Sequence, residues 1–277
     1  MKWTSGGRSP NLEDRRGAGM GAPMGIGGAI ILLVLSLIFG RGILTTATDV
    51  TNQEGGEVGL SPADSAREEP MVQFVSFVLD DAQNTWQNVF ERAGAPFQPA
   101  KMVLFRSGTM SGCGAAQSAM GPFYCPLDEK VYLDLDFFNE LDRRYGAPGD
   151  FAQAYVISHE LGHHVQHLLG IDSRVRAAQR SNPQNANELS VLLELQADCY
   201  AGVWGHSAAE RGKLSPGDME EGLAAASAVG DDRIQRSTTG TVNVDSFTHG
   251  SAQQRATWFK RGFDSGRVDS CDTFGEG

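Results

Sequence analysis

The stretch that decides the fold runs from position 155 to position 170 and reads Tyr155-Val156-Ile157-Ser158-His159-Glu160-Leu161-Gly162-His163-His164-Val165-Gln166-His167-Leu168-Leu169-Gly170. At 3.6 residues per turn, His159 and His163 lie on one face of a helix, about 40° apart around its axis. Their imidazoles can therefore hold one zinc ion, and Glu160 between them can act as general base on a water bound to that ion. The stretch predicts the catalytic helix of a zinc-dependent peptidase.

A catalytic zinc needs a third protein ligand, and the position of that ligand separates the peptidase classes. In metzincins it is a histidine six residues after the second one, and position 169 is Leu169 here, which excludes that class. Two further histidines lie on the same helix. His164 points about 100° away from His163, and His167 lies about 80° around the helix from His159. We interpret both as surface or supporting histidines.

Glu194 is the predicted third ligand, 31 residues after His163. It lies on an otherwise apolar helix, where a carboxylate costs energy unless it is paired or metal-bound. Asp198 follows one turn later on the same face, and we expect it to accept the second ring N–H of a zinc histidine, with His159 favoured. The swapped roles, Glu188 as a weaker ligand candidate, and a merely solvated helix face are the alternatives.

Peptide hydrolysis also needs a donor for the oxyanion that develops beside the metal. His249 is the favoured candidate, because it lies in a glycine-flanked loop outside any apolar stripe. The alternatives are Tyr155, Tyr200 and Tyr132, and an ordinary surface histidine fits the pattern at position 249 equally well. The substrate backbone is expected to pair as an added strand with a sheet edge at residues 131–135.

Composition and charge limit the class of partner. The chain has 277 residues, 40% of them hydrophobic and 21% charged, with a net charge of −11. Five of the 23 basic and two of the 34 acidic residues lie in the first 41 positions, so the remainder has 18 basic and 32 acidic residues. Such an acidic body argues against nucleic acid as a partner, because phosphates need lysine and arginine.

The four cysteines are Cys113, Cys125, Cys199 and Cys271. An even number in a chain with an export signal favours disulfides, and three pairings are possible. The pairing of Cys113 with Cys125 would close a short loop, and that of Cys199 with Cys271 would tie the end of the chain to the core. Buried free thiols are the alternative.

An uncharged, largely apolar run precedes the acidic body. It predicts a transmembrane anchor at residues 24–44, after a disordered cytoplasmic tail at 1–23 and before a flexible linker at 45–70. The basic residues before the run outnumber the one after it, which places the amino terminus inside and the domain at 71–277 outside. A cleaved signal peptide is the alternative.

The hydrophobic pattern of the domain predicts an α+β fold that is mainly helical. Helices are expected at 71–94, 136–145, 150–169, 188–204, 215–229 and 251–263. Short strands, expected to form a small antiparallel sheet, lie at 101–106, 123–125 and 131–135. The segments 174–187 and 230–250 are expected to be mostly loop.

Four segments carry a resemblance, namely His159 to Gln166, Glu194 to Trp204, Met120 to Pro126 and Thr248 to Ser251. Together they resemble the family of bacterial neutral zinc metallopeptidases. The resemblance extends over residues 71–274 and the amino-terminal run. It implies a gluzincin-like domain anchored in a bacterial cell membrane by a single span, with the catalytic domain extracytoplasmic. It does not indicate a substrate.

The predicted function is that of a zinc-dependent endopeptidase with one Zn²⁺ ion, acting on extracytoplasmic proteins or peptides. The alternative is a non-catalytic, zinc-stabilised binding or scaffold protein. Intact Glu160, His159 and His163 favour the enzyme, because degenerate peptidases lose the base or a ligand. A metal store would need more ligands than one mononuclear site offers.

Overall fold

A computed structural model describes residues 1–17 and 61–275 of the chain. The strands are β1 (Leu12–Asp14), β2 (Lys101–Phe105), β3 (Gly108–Ser111), β4 (Gly114–Gln117), β5 (Phe123–Cys125) and β6 (Lys130–Asp134). The helices are α1 (Pro62–Arg92), α2 (Asp136–Arg143), α3 (Asp150–Leu168), α4 (Ile171–Ser181), α5 (Ala186–Glu210), α6 (Asp218–Ala228), α7 (Asp231–Thr239) and α8 (Ala252–Ser265). The prediction of a mainly helical fold with a small sheet is confirmed.

The sheet is mixed rather than antiparallel, which corrects the prediction. Its strand order is β1-β2-β6-β5, with β2 parallel to both β1 and β6, and β5 antiparallel to β6. The strands β3 and β4 form a separate antiparallel hairpin. Because β6 lies between β2 and β5, residues 131–135 are not an edge, and the predicted substrate-binding edge is wrong. The edge strand on that side is β5.

Residues 1–17 are ordered against the domain, although the sequence predicted a disordered tail. The strand β1 pairs in parallel with β2, so that Leu12 lies opposite Met102. Arg16 is only 2% exposed, and its guanidinium pairs with Asp14 and with Glu68 of α1, each at 2.7 Å. The polar, glycine-rich composition suggested disorder, but strand pairing and ion pairs with distant residues stabilise the segment.

The predicted localisation in a cell membrane, with the domain outside, is wrong. A single span at 24–44 would put residues 1–17 and the domain on opposite sides of a bilayer, whereas both contribute strands to one sheet. The predicted anchor itself lies outside the described residues. Within residues 1–17 and 61–275, no helix is both long enough and apolar enough to cross a membrane.

Four helices differ from the prediction by more than three residues, among them α5, which runs to Glu210 beyond the expected end at 204. The helix α1 begins at Pro62, inside the predicted linker, and Ser61 caps it by accepting from the amide of Asp64 at 3.1 Å. The helices α4 and α7 occupy segments that were expected to be loop. In α4 only Asp172 and Val175 are buried, so the apolar periodicity that predicts a helix is missing there.

The helix α3 is held in the core by α1, α5, α6 and the sheet. The helix α8 in turn lies directly against α5. A Cβ at Gly202 would be 2.1 Å from the carbonyl oxygen of Phe259, and one at Gly262 would be 1.9 Å from that of Cys199. Glycine is therefore required at both positions for the two backbones to meet, and their contact brings the start of α8 close to α3.

Both cysteine pairs form disulfides. The bond between Cys113 and Cys125 joins the tip of the β3–β4 hairpin to β5. The bond between Cys199 and Cys271 joins α5 to the segment that follows α8, and both of these cysteines are fully buried. The second bond ties that segment to the helix that carries Glu194.

Candidate metal centre

A cleft of about 550 Å³ opens along α3, between β5 and the helices α5 and α8. Among the side chains that line it are all the residues predicted to bind the metal or to act in catalysis, namely His159, Glu160, His163, Glu194 and His249. They come from α3, α5 and the loop before α8. The fold therefore brings together residues that are up to 90 positions apart in the sequence.

The two predicted histidine ligands converge on Glu194. Nε2 of His159 is 3.2 Å from Oε2 of Glu194, and Nε2 of His163 is 3.4 Å from Oε1. One ligand atom of each residue lies within 4.8 Å of the other two. Two ligands about 2.1 Å from a tetrahedral zinc are about 3.4 Å apart, so these separations fit the edges of a zinc site.

A hydrogen-bond partner at Nδ1 orients the ring of each of these two histidines. Nδ1 of His159 is 2.8 Å from Oδ1 of Asp198, and Nδ1 of His163 is 2.8 Å from Oε1 of Gln166. An acceptor at Nδ1 selects the tautomer whose Nε2 carries the free lone pair, which is the atom that faces Glu194. The geometry thus favours Glu194 as the ligand and Asp198 as the acceptor behind His159, over the swapped assignment. The weaker candidate Glu188 is exposed.

The carboxylates of Glu194 and Asp198 favour a positive charge at the histidines that contact them. Burial lowers the pKa of His159, but Asp198 and Glu194 outweigh it and raise that pKa to about 10. Burial likewise opposes ionisation of Glu194, yet His163 and His159 hold the pKa of its carboxyl well below its usual value. Without a metal the histidines attract protons, and a bound cation would take the place of those protons.

Arg255, at the start of α8, holds Asp198 in place. Its Nε lies 2.8 Å from Oδ2 of Asp198 and its Nη2 lies 2.9 Å from Oδ1, a bidentate pair. The hydroxyl of Tyr155 also donates to Asp198. Burial opposes ionisation of this carboxyl, but Arg255 and His159 lower its pKa. Asp198 is therefore a fixed negative charge behind His159.

His249 lies at the rim of the cleft, with its side chain 51% exposed. Its Nδ1 is 3.1 Å from Oδ1 of Asp231, the first residue of α7. Oδ2 of Asp231 accepts the amides of Thr248, His249 and Gly250 at 2.7, 2.7 and 3.1 Å. The hydrogen bond that Nδ1–H donates to Asp231 raises the pKa of His249. The carboxylate thus fixes the loop and favours a protonated ring at its edge.

The three tyrosine alternatives are less suited to the oxyanion role. Tyr155 is buried and its hydroxyl is bonded to Asp198. Tyr132 donates to Asp128 at 2.6 Å, and Tyr200 lines a different cavity, beside the Cys199–Cys271 bond.

The remaining two histidines of α3 have structural contacts. His164, expected at the surface or in a supporting role, is fully buried between the Tyr124 hydroxyl at 3.0 Å and the Gln98 carbonyl at 2.7 Å. Burial lowers the pKa of His164, which keeps its ring neutral. His167 is partly exposed and bonds Asp172 at 2.9 Å.

Comparison with known proteins agrees with this geometry. The family model described as "Putative neutral zinc metallopeptidase" matches residues 1–274. The chain belongs to this family. The match spans nearly the whole sequence, including residues 1–17, and the family description supplies zinc and peptide hydrolysis at the family level.

Two relatives of this family member come from bacteria. The protein "Uncharacterized protein YpfJ" of Escherichia coli K12 is 48% identical over 286 residues, which span 100% of this chain and 99% of the relative. "Uncharacterized protein Rv2575" of Mycobacterium tuberculosis H37Rv is 47% identical over 184 residues, 62% of this chain and 61% of the relative. No solved structure matches the chain.

Sequence reasoning missed three residues of the site in this family member: Gln166, Asp231 and Arg255. One of them left a readable signal. Arg255 occupies a core position of α8, in the spacing Ala252, Arg255, Phe259, Gly262 that otherwise marks a buried stripe. A charge in such a stripe needs a buried partner. Gln166 and Asp231 gave no comparable signal, because polar residues at those positions are equally common on a surface.

Proposed function

We propose that the protein is a zinc-dependent endopeptidase that hydrolyses peptide bonds in protein or peptide substrates. The observation that carries the proposal is the convergence of His159, His163 and Glu194 within 4.8 Å in the cleft that also contains Glu160. His159, His163 and Glu194 would hold the ion. Zinc, when bound there, polarises the scissile carbonyl and makes water a stronger acid.

The chain's own residues then divide the remaining roles. Glu160 accepts the proton of the attacking water and later passes it to the leaving amine. Its side chain is buried at the wall of the cleft that His159, His163 and Glu194 also line. Asp198, itself held by Arg255, keeps the ring of His159 in place while the charge on the metal side of that ring changes during the reaction.

The edge strand β5 is the proposed binding site for the substrate backbone. Gly121, Pro122, Phe123 and Tyr124 line the cleft, and β5 ends the sheet on that side. An extended peptide can add to such an edge through main-chain hydrogen bonds, and its side chains then occupy the pockets on either side. This arrangement accepts an internal stretch of a longer chain, as an endopeptidase requires.

His249 is the proposed donor to the oxyanion. His249 lines the cleft, and with Nδ1 bonded to Asp231 a protonated ring keeps Nε2–H as a second donor. We expect His249→Ala to lower kcat by about 100- to 1,000-fold with zinc content unchanged. His206→Ala is the matched control, because His206 bonds the Phe263 carbonyl outside the cleft. Wild-type kcat in His249→Ala would remove this role.

The proposal is tested with a peptide library incubated with the purified protein. We expect cleavage within peptides, loss of cleavage with a chelator, and recovery when zinc is added back in stoichiometric amount. Mass spectrometry of the products identifies the bonds that are cut. Zinc binding with no cleavage of any peptide would contradict the enzyme and favour the scaffold alternative.

A further inference from the structure

Gln166 joins the proposed ligand His163 to a second helix. Its Oε1 lies 2.8 Å from Nδ1 of His163. On its other side, Nε2 donates to the carbonyl of Leu193 at 2.7 Å and to Oε1 of Gln196 at 3.1 Å. A side-chain amide can accept on one side and donate twice on the other, as these partners require. Leu193 directly precedes Glu194. The Gln166 amide therefore bonds the ring of one proposed ligand, His163, and the backbone beside a second, Glu194.

Gln196 carries the connection onward to the disulfide. Its Nε2 donates to the carbonyl of Cys271 at 3.0 Å, and Cys271 is bonded to Cys199 of α5. The hydroxyl of Thr273 also donates to the Leu192 carbonyl at 2.7 Å. The segment after α8 is thereby attached to α5 by one covalent bond and two hydrogen bonds.

These hydrogen bonds are shielded from water. Gln166 is fully buried and Gln196 is 5% exposed. Cys199 and Cys271 are buried with Val165, the neighbour of Gln166 on α3, in one apolar cluster. A buried amide that loses one partner is left unsatisfied at a cost of about 1–3 kcal/mol. Rotation of either glutamine side chain away from its partners is therefore unfavourable, and both amides are held in one orientation.

We propose that Gln166 and Gln196 are positioning residues of the metal centre. They form an amide relay, which runs from His163 through Gln166 and Gln196 to the carbonyl of Cys271, and the Cys199–Cys271 disulfide anchors its far end. The inference rests on the proposed zinc site. His159 is supported by the charged Asp198 at 2.8 Å, whereas His163 has a neutral amide at Nδ1. The orientation of His163 therefore depends on how firmly that amide is held.

The near end of the relay is tested by zinc affinity, measured by competition with a chromogenic chelator. Gln166→Leu should bind zinc about 10- to 100-fold more weakly. It should also change the visible absorption of the cobalt-substituted protein, which reports ligand geometry. Gln153→Leu, on the same helix but at the opposite end from the site, should leave both unchanged.

Gln166→Glu separates positioning from plain stability. It keeps an acceptor oxygen for His163, so zinc affinity should lie closer to wild type than in Gln166→Leu. A purely structural role predicts the reverse order, because glutamate would bury a charge. If Gln166→Leu does not fold, Gln196→Met, which keeps the side-chain length and removes the relay's second amide, should weaken zinc binding in the same direction.

The far end is tested by removing each disulfide in turn. The double variant Cys199→Ala with Cys271→Ala should lower zinc affinity, while Cys113→Ala with Cys125→Ala should not, although both lose thermal stability. Equal zinc affinities in the two double variants would show that the Cys199–Cys271 disulfide does not anchor the relay. Wild-type affinity in Gln166→Leu would overturn the relay even if peptide cleavage is observed. Weakened affinity without any cleavage would leave the relay standing and refute the proposed function instead.

Discussion

Replacing Glu160 by glutamine should lower kcat/KM by about 100- to 10,000-fold, the usual contribution of a general base, while zinc remains bound. Glutamine has nearly the same shape but cannot accept the proton of the attacking water at neutral pH. Glu160 is not among the three residues that could hold the ion, so metal binding should survive the change. Turnover is measured with a fluorogenic peptide chosen from the library, and zinc content by atomic absorption.

The contrasting variant is Glu194→Ala, which removes a proposed ligand. We expect it to lose both zinc and turnover, since two histidines alone hold zinc far more weakly than three ligands do. The pair distinguishes the two glutamates: one variant keeps the ion without activity, and the other loses both. Undiminished hydrolysis in Glu160→Gln would exclude it as the base, and full zinc occupancy in Glu194→Ala would exclude it as a ligand.

Replacing Arg255 by methionine should destabilise the protein by about 3–5 kcal/mol, because it leaves the buried Asp198 carboxylate without its bidentate partner. Asp198 is fully buried and Arg255 is 4% exposed, so water cannot replace the lost contact. The free energy of unfolding is measured in urea with chelator present, so that zinc binding does not contribute.

An exposed ion pair on the same helix provides the control. Lys260 and Asp264 are more than half exposed, so Lys260→Met should change the free energy of unfolding by less than about 1 kcal/mol. The double variant Arg255→Met with Asp198→Asn should recover part of the loss, because the buried carboxylate that lost its bidentate partner is gone. Equal urea midpoints for Arg255→Met and Lys260→Met would show that the buried pair does not stabilise the fold.

The candidate site was largely predictable where it depends on local geometry. The spacing of His159 and His163 puts both rings on one face of any helix, and the spacing of Glu194 and Asp198 does the same. An apolar helix containing two carboxylates indicates a buried partner. Long-range partners were beyond such reasoning: Arg255 is 57 residues from Asp198, and no periodicity encodes which helix meets which.

The sheet and the amino terminus show the same limit. The pattern of residues 131–135 predicts a strand, but its neighbours on either side depend on the path of the whole chain. The strand β1 has three residues, and its partner β2 begins about 90 positions later. Its pairing cannot be read from composition, and the polar character of residues 1–17 predicted disorder instead.

The sequence by itself determined the helix that carries His159, Glu160 and His163, and with it the grouping of two candidate zinc ligands and a candidate base, because both follow from spacings within a turn or two. The tertiary structure alone decided how that helix is held. Tertiary contacts pair Arg255 with Asp198 and connect Gln166 and Gln196 to Nδ1 of His163. They also place β5 at the edge of the cleft. These contacts join segments whose backbones meet only after the core has packed, and no local rule specifies them.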